Sequence, residues 1–143
     1  MPKKKEIKVG IREGGGPHPG YRRSAFILDL AFSESKFLSS AQYQHLALQL
    51  KELAQHGDPT HSDIIDVKKI KNESFYERRD KGGVLGSLNV RVFFGVDDDE
   101  RAIVILGVIK KQNNGPTPQG DIIRMRRRWR KYKKGDYGTP YSG

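Results

Sequence analysis

Positively charged side chains gather around the part of the chain that carries strand patterns. Eight of the ten between Val67 and Lys111 are predicted to surround the sheet: Lys69, Lys71, Arg78, Arg79, Lys81, Arg91, Lys110 and Lys111. Like charges at one sheet edge repel each other, and a bound phosphate backbone relieves that repulsion. The cluster therefore predicts a surface that binds polyanions. A solvated basic rim without a ligand is the alternative interpretation.

The segment Asn89 to Gln112 is predicted to form a hairpin that positions this cluster. Apolar residues from Val90 to Val96 recur with the period of two that is typical of a strand. Asp97 to Glu100 then supplies turn chemistry. Ala102 to Ile109 is nearly all apolar, which favours a strand covered on both faces in the middle of a sheet.

Antiparallel pairing predicts which cations lie close together. The strand Phe75 to Arg79 ends near the turn that leads to Arg91, so Arg79 and Arg91 are expected to be neighbours. Lys110 returns to the same end of the hairpin because its strand runs in the opposite direction. These residues are therefore predicted to form one phosphate-binding group.

The first half of the chain is predicted to supply helices. Apolar residues between Ser40 and His56 follow the spacing of one helical face, and Phe37 and Leu38 fit a short helix before it. Ser24 to Phe32 fits a strand or the start of a helix. The predicted fold is α+β, with a helical hairpin packed on a three- to four-stranded antiparallel sheet.

A basic helix is predicted at the C-terminal end of the fold. Thr117 resembles a helix N-cap and Pro118 a first helical residue. Apolar residues from Ile122 to Trp129 are sufficient to dock one or two turns on the sheet. The remaining positions are cationic, and five of them are predicted to contact nucleic acid: Arg124, Arg127, Arg128, Arg130 and Lys131.

The composition favours a polyanionic partner and excludes several classes of site. Lys and Arg number 27 against 17 Asp and Glu, which gives a formal charge of +10. Such a charge favours nucleic acid, the ribosome or an acidic protein. The chain has no cysteine, which excludes disulfides, thiol catalysis and cysteine-based zinc sites. It also has no HExxH, GxxxxGK[ST] or GxSxG motif.

The 143 residues are expected to form one domain with extensions. We assign residues 1–21 to a flexible basic extension, 22–134 to the folded domain and 135–143 to a C-terminal tail. The first residues are basic but lack an apolar segment, so a secretory signal is not expected. Ala102 to Ile109 is too short to span a membrane, and we expect a cytoplasmic protein.

The order of these features resembles the RelE/ParE/HigB toxin superfamily. The features are a helical hairpin, Glu77-x-Arg79 on a strand, the strand that begins at Arg91, an acidic turn, Lys110–Lys111 after an apolar strand, and Thr117–Pro118 before a helix. The set is most similar to the HigB-like, phage-derived branch. The resemblance covers about Ser24 to Tyr132, which would make residues 22–134 a toxin domain.

This resemblance implies the toxin of a type II toxin–antitoxin system that cleaves messenger RNA on the ribosome without a metal or another cofactor. In that chemistry the 2′-hydroxyl attacks the adjacent phosphate. Arg79 and Arg91 would hold the phosphate, and Lys110 or Lys111 would stabilise the developing charge. Glu77 or a lysine would be the base. Many members carry a late Tyr or His, whereas this chain has neither between Lys111 and Tyr132.

The resemblance also implies partners and leaves two other functions open. The partners would be a cognate antitoxin protein, the ribosome and messenger RNA, with no membrane contact. Members of the same fold inhibit DNA gyrase through their C-terminal region, which is strongly basic in this chain. The third possibility is a non-catalytic module that binds nucleic acid or the ribosome through the basic helix.

Overall fold

The computed structural model describes residues 10–15, 23–55, 67–111, 115–137 and 141–142. They form an α+β fold, as predicted. The elements in chain order are β1 (Ile11–Gly15), β2 (Ser24–Leu28), α1 (Asp29–Glu34), α2 (Ser40–Gln55), β3 (Val67–Lys69), β4 (Tyr76–Lys81), β5 (Asn89–Asp97), β6 (Ala102–Lys111), α3 (Gln119–Lys133) and β7 (Tyr141–Ser142).

The sheet is larger than predicted and is mixed. Its strand order is β3-β4-β5-β6-β2-β1-β7. The predicted antiparallel meander is β4-β5-β6, but β2 also pairs with β6 in parallel. Strand β1 lies antiparallel to β2 and parallel to β7, so parts of the segments assigned to the extension and the tail belong to the sheet. The β2–β6 and β1–β7 pairings join residues far apart in sequence, which local patterns do not specify.

The central hairpin is confirmed as two long strands. Its register runs from Asn89 opposite Lys111 to Asp97 opposite Ala102, with one irregularity between Phe93 and Phe94. Every residue from Ala102 to Ile109 is buried. Strand β6 is covered on both faces and paired along both edges over Ala102 to Ile105, which explains its continuous apolar sequence.

Helices α1 and α2 cover one face of the sheet and α3 covers the other. Leu46 and Leu50 of α2 pack against Val92 and Val108 around a cavity of only about 30 Å³. A capping box begins α2, because the Gln42 amide donates to Ser39 Oγ (3.2 Å) and the Ser39 amide to Gln42 Oε1 (2.9 Å).

Two glycines let α3 approach the sheet closely. A Cβ atom at Gly95 would lie 2.5 Å from the Trp129 ring, and one at Gly107 would lie 2.2 Å from Met125 Cε. The Trp129 indole also donates to Ser74 Oγ at 3.0 Å. The two glycine contacts place α3 against β5 and β6. None of the helices in the described part of the chain is both long and apolar enough to cross a membrane.

Candidate nucleic-acid interface

A cleft of about 410 Å³ lies between strands β3 and β4 and the first turns of α3. Its charged lining consists of Lys68, Lys69, Lys71, Glu73, Glu77, Arg79 and Arg126. Five of these side chains are cations and two are carboxylates, so the cleft is positively charged. The cleft therefore has the charge and the size to hold a phosphate group and an attached sugar.

The pleat of β4 decides which of its charged side chains enter the cleft. Successive side chains of a strand point to opposite faces, so Glu77 and Arg79 share the α3 face. Glu77 pairs with Lys68 of β3, and Arg79 pairs with Arg91 of β5. The predicted closeness of Arg79 and Arg91 is confirmed by this register.

Glu77 is the centre of the hydrogen bonds at the base of the cleft. Only 3 % of the residue is exposed. Arg79 Nε donates to Glu77 Oε1 at 2.6 Å, and Thr117 Oγ1 donates to Glu77 Oε2 at 2.5 Å. Both carboxylate oxygens are engaged. Nε is the Arg79 atom that bonds to a described side chain, and the side chain lines the cleft with 26 % exposure. The Nη edge of the guanidinium is therefore available to a ligand.

Arg91 lies beneath this group and is fully buried, with 0 % exposure. Its Nη1 donates to Thr117 Oγ1 at 2.8 Å and its Nη2 donates to the Gly115 carbonyl. The pKa of Arg91 is lowered from its ordinary value, mainly by burial. The negative charge of Glu77 opposes this shift, and the positive charge of Arg79 adds to it. The prediction that Arg91 contacts a phosphate is therefore wrong for this conformation, because protein atoms enclose its side chain.

Lys110 and Lys111 lie on opposite faces of the sheet. Lys111 Nζ donates to the Pro116 carbonyl at 3.1 Å, beside the cleft. Lys110 Nζ lies 5.9 Å from the centre of the Phe37 ring, on the side of α1. The prediction placed both near the phosphate. It is wrong for Lys110, because adjacent strand residues alternate between faces.

Arg78 also lies on the face opposite the cleft. It is 1 % exposed, and its Nη2 donates to Asp80 Oδ2 at 2.9 Å. The same carboxylate oxygen bonds to His45 Nε2 of α2 at 2.8 Å. The predicted RNA contact by Arg78 is wrong for this conformation, because the side chain is buried between α2 and the sheet. Lys81 ends β4.

Arg128 of α3 supports the fold. Its Nη1 and Nη2 donate to the two carboxylate oxygens of Glu34 at 2.7 and 3.0 Å, and Nη1 also donates to the Leu106 carbonyl at 2.8 Å. Glu34 accepts the Val108 amide at 3.2 Å. The predicted RNA contact by Arg128 is wrong for this conformation, because the residue is only 8 % exposed.

The other cations of α3 differ in their availability. Arg124 is partly exposed but binds Glu34 at 3.2 Å and Asp121 at 2.9 Å. Lys131 lies 3.9 Å from Asp136. Arg127 and Arg130 are exposed to solvent. Of the five predicted contacts on this helix, Arg127 and Arg130 are thus the best placed to bind a polyanion.

Three residues of the cleft were missed by the sequence analysis. Lys68 and Arg126 line it, and Thr117 lies in its wall. Arg126 Nη2 lies 2.5 Å from Glu73 Oε2, and this bond lowers the pKa of Glu73. The available signals were the alternation of β3 and the helical spacing of Gln119, Ile122 and Arg126. The sequence pattern predicts a helix cap at Thr117, whereas Pro118 occupies the N-cap position.

Within the described residues, no three His, Cys, Asp or Glu side chains are grouped so that they could hold a metal ion. The described lining of the cleft offers cationic and amide side chains to a ligand. Comparison with known proteins found no match among protein-family models, curated proteins or solved structures.

Proposed function

We propose that the chain is the toxin of a type II toxin–antitoxin system, and that it cleaves messenger RNA on the ribosome. The observation that carries this proposal is the orientation of Arg79. Its Nε edge is bound by the buried carboxylate of Glu77, and its Nη edge is open to a cleft with a positive lining. A guanidinium held in this way binds a phosphate with two parallel hydrogen bonds.

The reaction would be a transfer of the phosphoryl group within the RNA. The 2′-oxygen attacks the adjacent phosphorus, the bond from phosphorus to the 5′-oxygen breaks, and the products are a 2′,3′-cyclic phosphate and a 5′-hydroxyl. Negative charge builds up on the phosphoryl oxygens in the transition state. Arg79 stabilises that charge, and Lys111 at the edge of the cleft adds to the positive potential.

Proton transfer falls to groups other than Glu77. Both oxygens of Glu77 are engaged, so this carboxylate orients Arg79 and does not take a proton. Lys68 is exposed and lies directly opposite Glu77 in the β3–β4 pair. We assign to the Lys68 ammonium the proton that the leaving 5′-oxygen needs, while the 2′-hydroxyl proton passes to water.

Single-turnover cleavage of messenger RNA on ribosomes tests this function. Replacing Arg79 by Ala is expected to lower the rate by about 10²-fold or more, as removal of one preorganised charge-stabilising group does. Lys111→Ala and Lys110→Ala form a matched pair, because they remove the same charge from opposite faces of one strand. Lys111→Ala should slow cleavage and Lys110→Ala should not. Absence of cleavage by the parent protein would overturn the proposal.

A second candidate is a module that binds RNA or the ribosome without cutting. It is favoured by the composition of the cleft: its described lining has no His or Tyr, and both of its carboxylates bind arginine. This module would bind ribosomes with an affinity that falls in Arg79→Ala, and would leave the RNA intact. Inhibition of gyrase supercoiling without RNA cleavage would indicate the gyrase-directed alternative.

A cognate antitoxin is part of the proposal. A chain with a charge of +10 and an open basic cleft suits an acidic segment that folds as it binds. The protein encoded beside this chain should bind it and suppress the cleavage. A neighbouring product that neither binds nor suppresses cleavage would count against the toxin–antitoxin assignment.

A further inference from the structure

We propose that Thr117 is the positioning residue that fixes Glu77, and through Glu77 the direction of Arg79. This inference rests on the proposed function, because it names what orients the phosphate-binding arginine. Thr117 lies in the loop before α3 and lines the cleft. Its hydroxyl lies between two buried charged groups, the Arg91 guanidinium and the Glu77 carboxylate.

The direction of these hydrogen bonds follows from chemistry. A guanidinium can only donate, so the Thr117 oxygen must accept from Arg91 Nη1 at 2.8 Å. The single hydroxyl proton is then available to Glu77 Oε2 at 2.5 Å. The carboxylate has no other described donor at this oxygen. Thr117 therefore determines how the carboxylate plane is turned.

The carboxylate plane in turn determines where Arg79 points. Arg79 Nε donates to the other oxygen, Glu77 Oε1, at 2.6 Å. With both oxygens held, the Nε bond restricts the orientation of Arg79, whose side chain lines the cleft. If the Thr117 hydroxyl were absent, Glu77 could rotate, and Arg79 would sample several orientations instead of one.

The loop around Thr117 is fastened to the sheet independently of the helix. Arg91 Nη2 donates to the Gly115 carbonyl, and Lys111 Nζ donates to the Pro116 carbonyl at 3.1 Å. No side chain caps α3, whose N-cap position is Pro118. The Thr117 hydroxyl thus serves the cleft, although its position just before a helix would suit a cap.

The test compares two replacements of Thr117 in the full chain. Thr117→Val keeps the shape and removes the hydroxyl, and Thr117→Ser keeps the hydroxyl. The first measurement uses no RNA: it follows the Arg79 Nε–H signal by ¹⁵N nuclear magnetic resonance. We expect exchange of this proton with water to be at least about 10-fold faster in Thr117→Val, because a mobile carboxylate protects it less. Thr117→Ser should resemble the parent.

The second measurement is single-turnover cleavage on ribosomes. Thr117→Val should lower the maximal rate by about 10- to 100-fold, as small misplacements of a catalytic group do, and leave the half-saturating ribosome concentration nearly unchanged. Thr117→Ser should restore the rate. If Thr117→Val does not fold, Thr117→Ala removes the same hydroxyl.

The positioning proposal would be overturned if a folded variant that lacks the Thr117 hydroxyl exchanged its Arg79 Nε–H proton as slowly as the parent does. This holds whatever the cleavage assay shows. Failure of the parent to cleave RNA would instead overturn the proposed function, and the resonance measurement would still decide the role of Thr117. A loss of activity that Thr117→Ser does not restore would also count against the hydroxyl.

Discussion

Arg79 and Arg91 are direct partners across strands β4 and β5, yet only one of them meets solvent. The side chain of Arg79 is 26 % exposed, and the whole of Arg91 is 0 % exposed. Glu77 lies close enough to both guanidinium groups to offset their repulsion. The pair therefore divides into a cation that is free to bind a ligand and a cation that holds the loop before α3.

Replacing Arg91 by Ala should destabilise the protein. The replacement leaves the Gly115 carbonyl and the Thr117–Glu77 pair without their buried donor. We expect the free energy of unfolding to fall by about 3 kcal/mol, which is typical when one partner of a buried charged pair is removed. Urea unfolding measures this loss. Arg127→Ala is the control, since Arg127 is exposed. An Arg91→Ala protein as stable as the control would show that the buried contacts contribute little.

Replacing Lys68 by Arg should separate charge from proton donation. Arginine keeps the positive charge but does not release its proton near neutral pH. We expect ribosome affinity to stay close to that of the parent and the single-turnover rate to fall by about 10²-fold, as loss of a general acid does. Lys71→Arg is a matched change at the rim of the same cleft. An unchanged rate in Lys68→Arg would remove Lys68 from proton transfer.

Two neighbouring arginines of α3 should behave differently. Arg127 is exposed, so Arg127→Ala should weaken RNA binding and reduce the slope of log affinity against log salt by about one. Arg128 binds Glu34 and the Leu106 carbonyl, so Arg128→Ala should lower the free energy of unfolding by about 2–3 kcal/mol. Filter binding across a salt series, beside urea unfolding, measures both. A reversed pattern would contradict the observed burial.

The close approach of α3 to β5 is tested by adding one methyl group. Gly95→Ala would place Cβ 2.5 Å from the Trp129 ring, and forced repacking should cost about 1–3 kcal/mol of stability. Gly120→Ala is the matched control, because a Cβ there would have no atom of another element within 4 Å, and alanine favours a helix by about 0.5–1 kcal/mol. Thermal unfolding is followed by Trp129 fluorescence, and the midpoint temperature should fall in Gly95→Ala and rise in Gly120→Ala. Equal stability in both variants would argue against the packing described.

We expect the protein to lose stability at alkaline pH because of Tyr132. Burial, together with the bond from its hydroxyl to Asp97 at 2.8 Å, raises the pKa of Tyr132 above the usual value of 10.0. Its stabilisation is therefore complete below pH 10.0 and is lost as the pH rises toward the higher folded-state pKa. The free energy of unfolding should fall by about 1.4 kcal/mol per pH unit in that window.

Urea unfolding at increasing alkaline pH measures this dependence. Tyr132→Phe should be less stable below pH 10.0, because it lacks the bond to Asp97, and should show a shallower alkaline slope. Tyr43→Phe serves as a comparison, since burial also raises the pKa of Tyr43. An identical slope in Tyr132→Phe and the parent would exclude Tyr132 as the source.

The central part of the fold was predictable because its signals are local. The alternation from Val90 to Val96, the acidic turn and the apolar run to Ile109 specify the β5–β6 hairpin. Antiparallel pairing of the preceding strand β4 with β5 then brings Arg79 opposite Arg91. The parallel pairing of β2 with β6 was not predictable, since Ser24 and Ala102 are distant in sequence. A short apolar segment does not specify the strand with which it will pair.

The functional cluster was only partly predictable, because charge does not reveal the face on which a side chain lies. Arg78 and Arg79 are adjacent residues of the same type, but successive side chains of a strand lie on opposite faces. Arg78 is therefore buried on the side of α2, and Arg79 lines the cleft. Arg128 resembles Arg127 until the position of Glu34 is known. Thr117 matched a helix-cap pattern, and its bond to Glu77 requires tertiary contacts that no local pattern contains.

The bond between Glu34 and Arg128 has a consequence for the unfinished chain during translation. Beyond Ile105, no described strand pairs with β6 on the side of β2. Glu34 accepts from the Val108 amide there, and Arg128 donates to the Leu106 carbonyl. Of these residues, Arg128 is the last to be synthesised. Until then the nascent strand has an open edge that can pair with another chain. A product truncated before α3 should therefore aggregate, whereas a released chain that includes α3 should not.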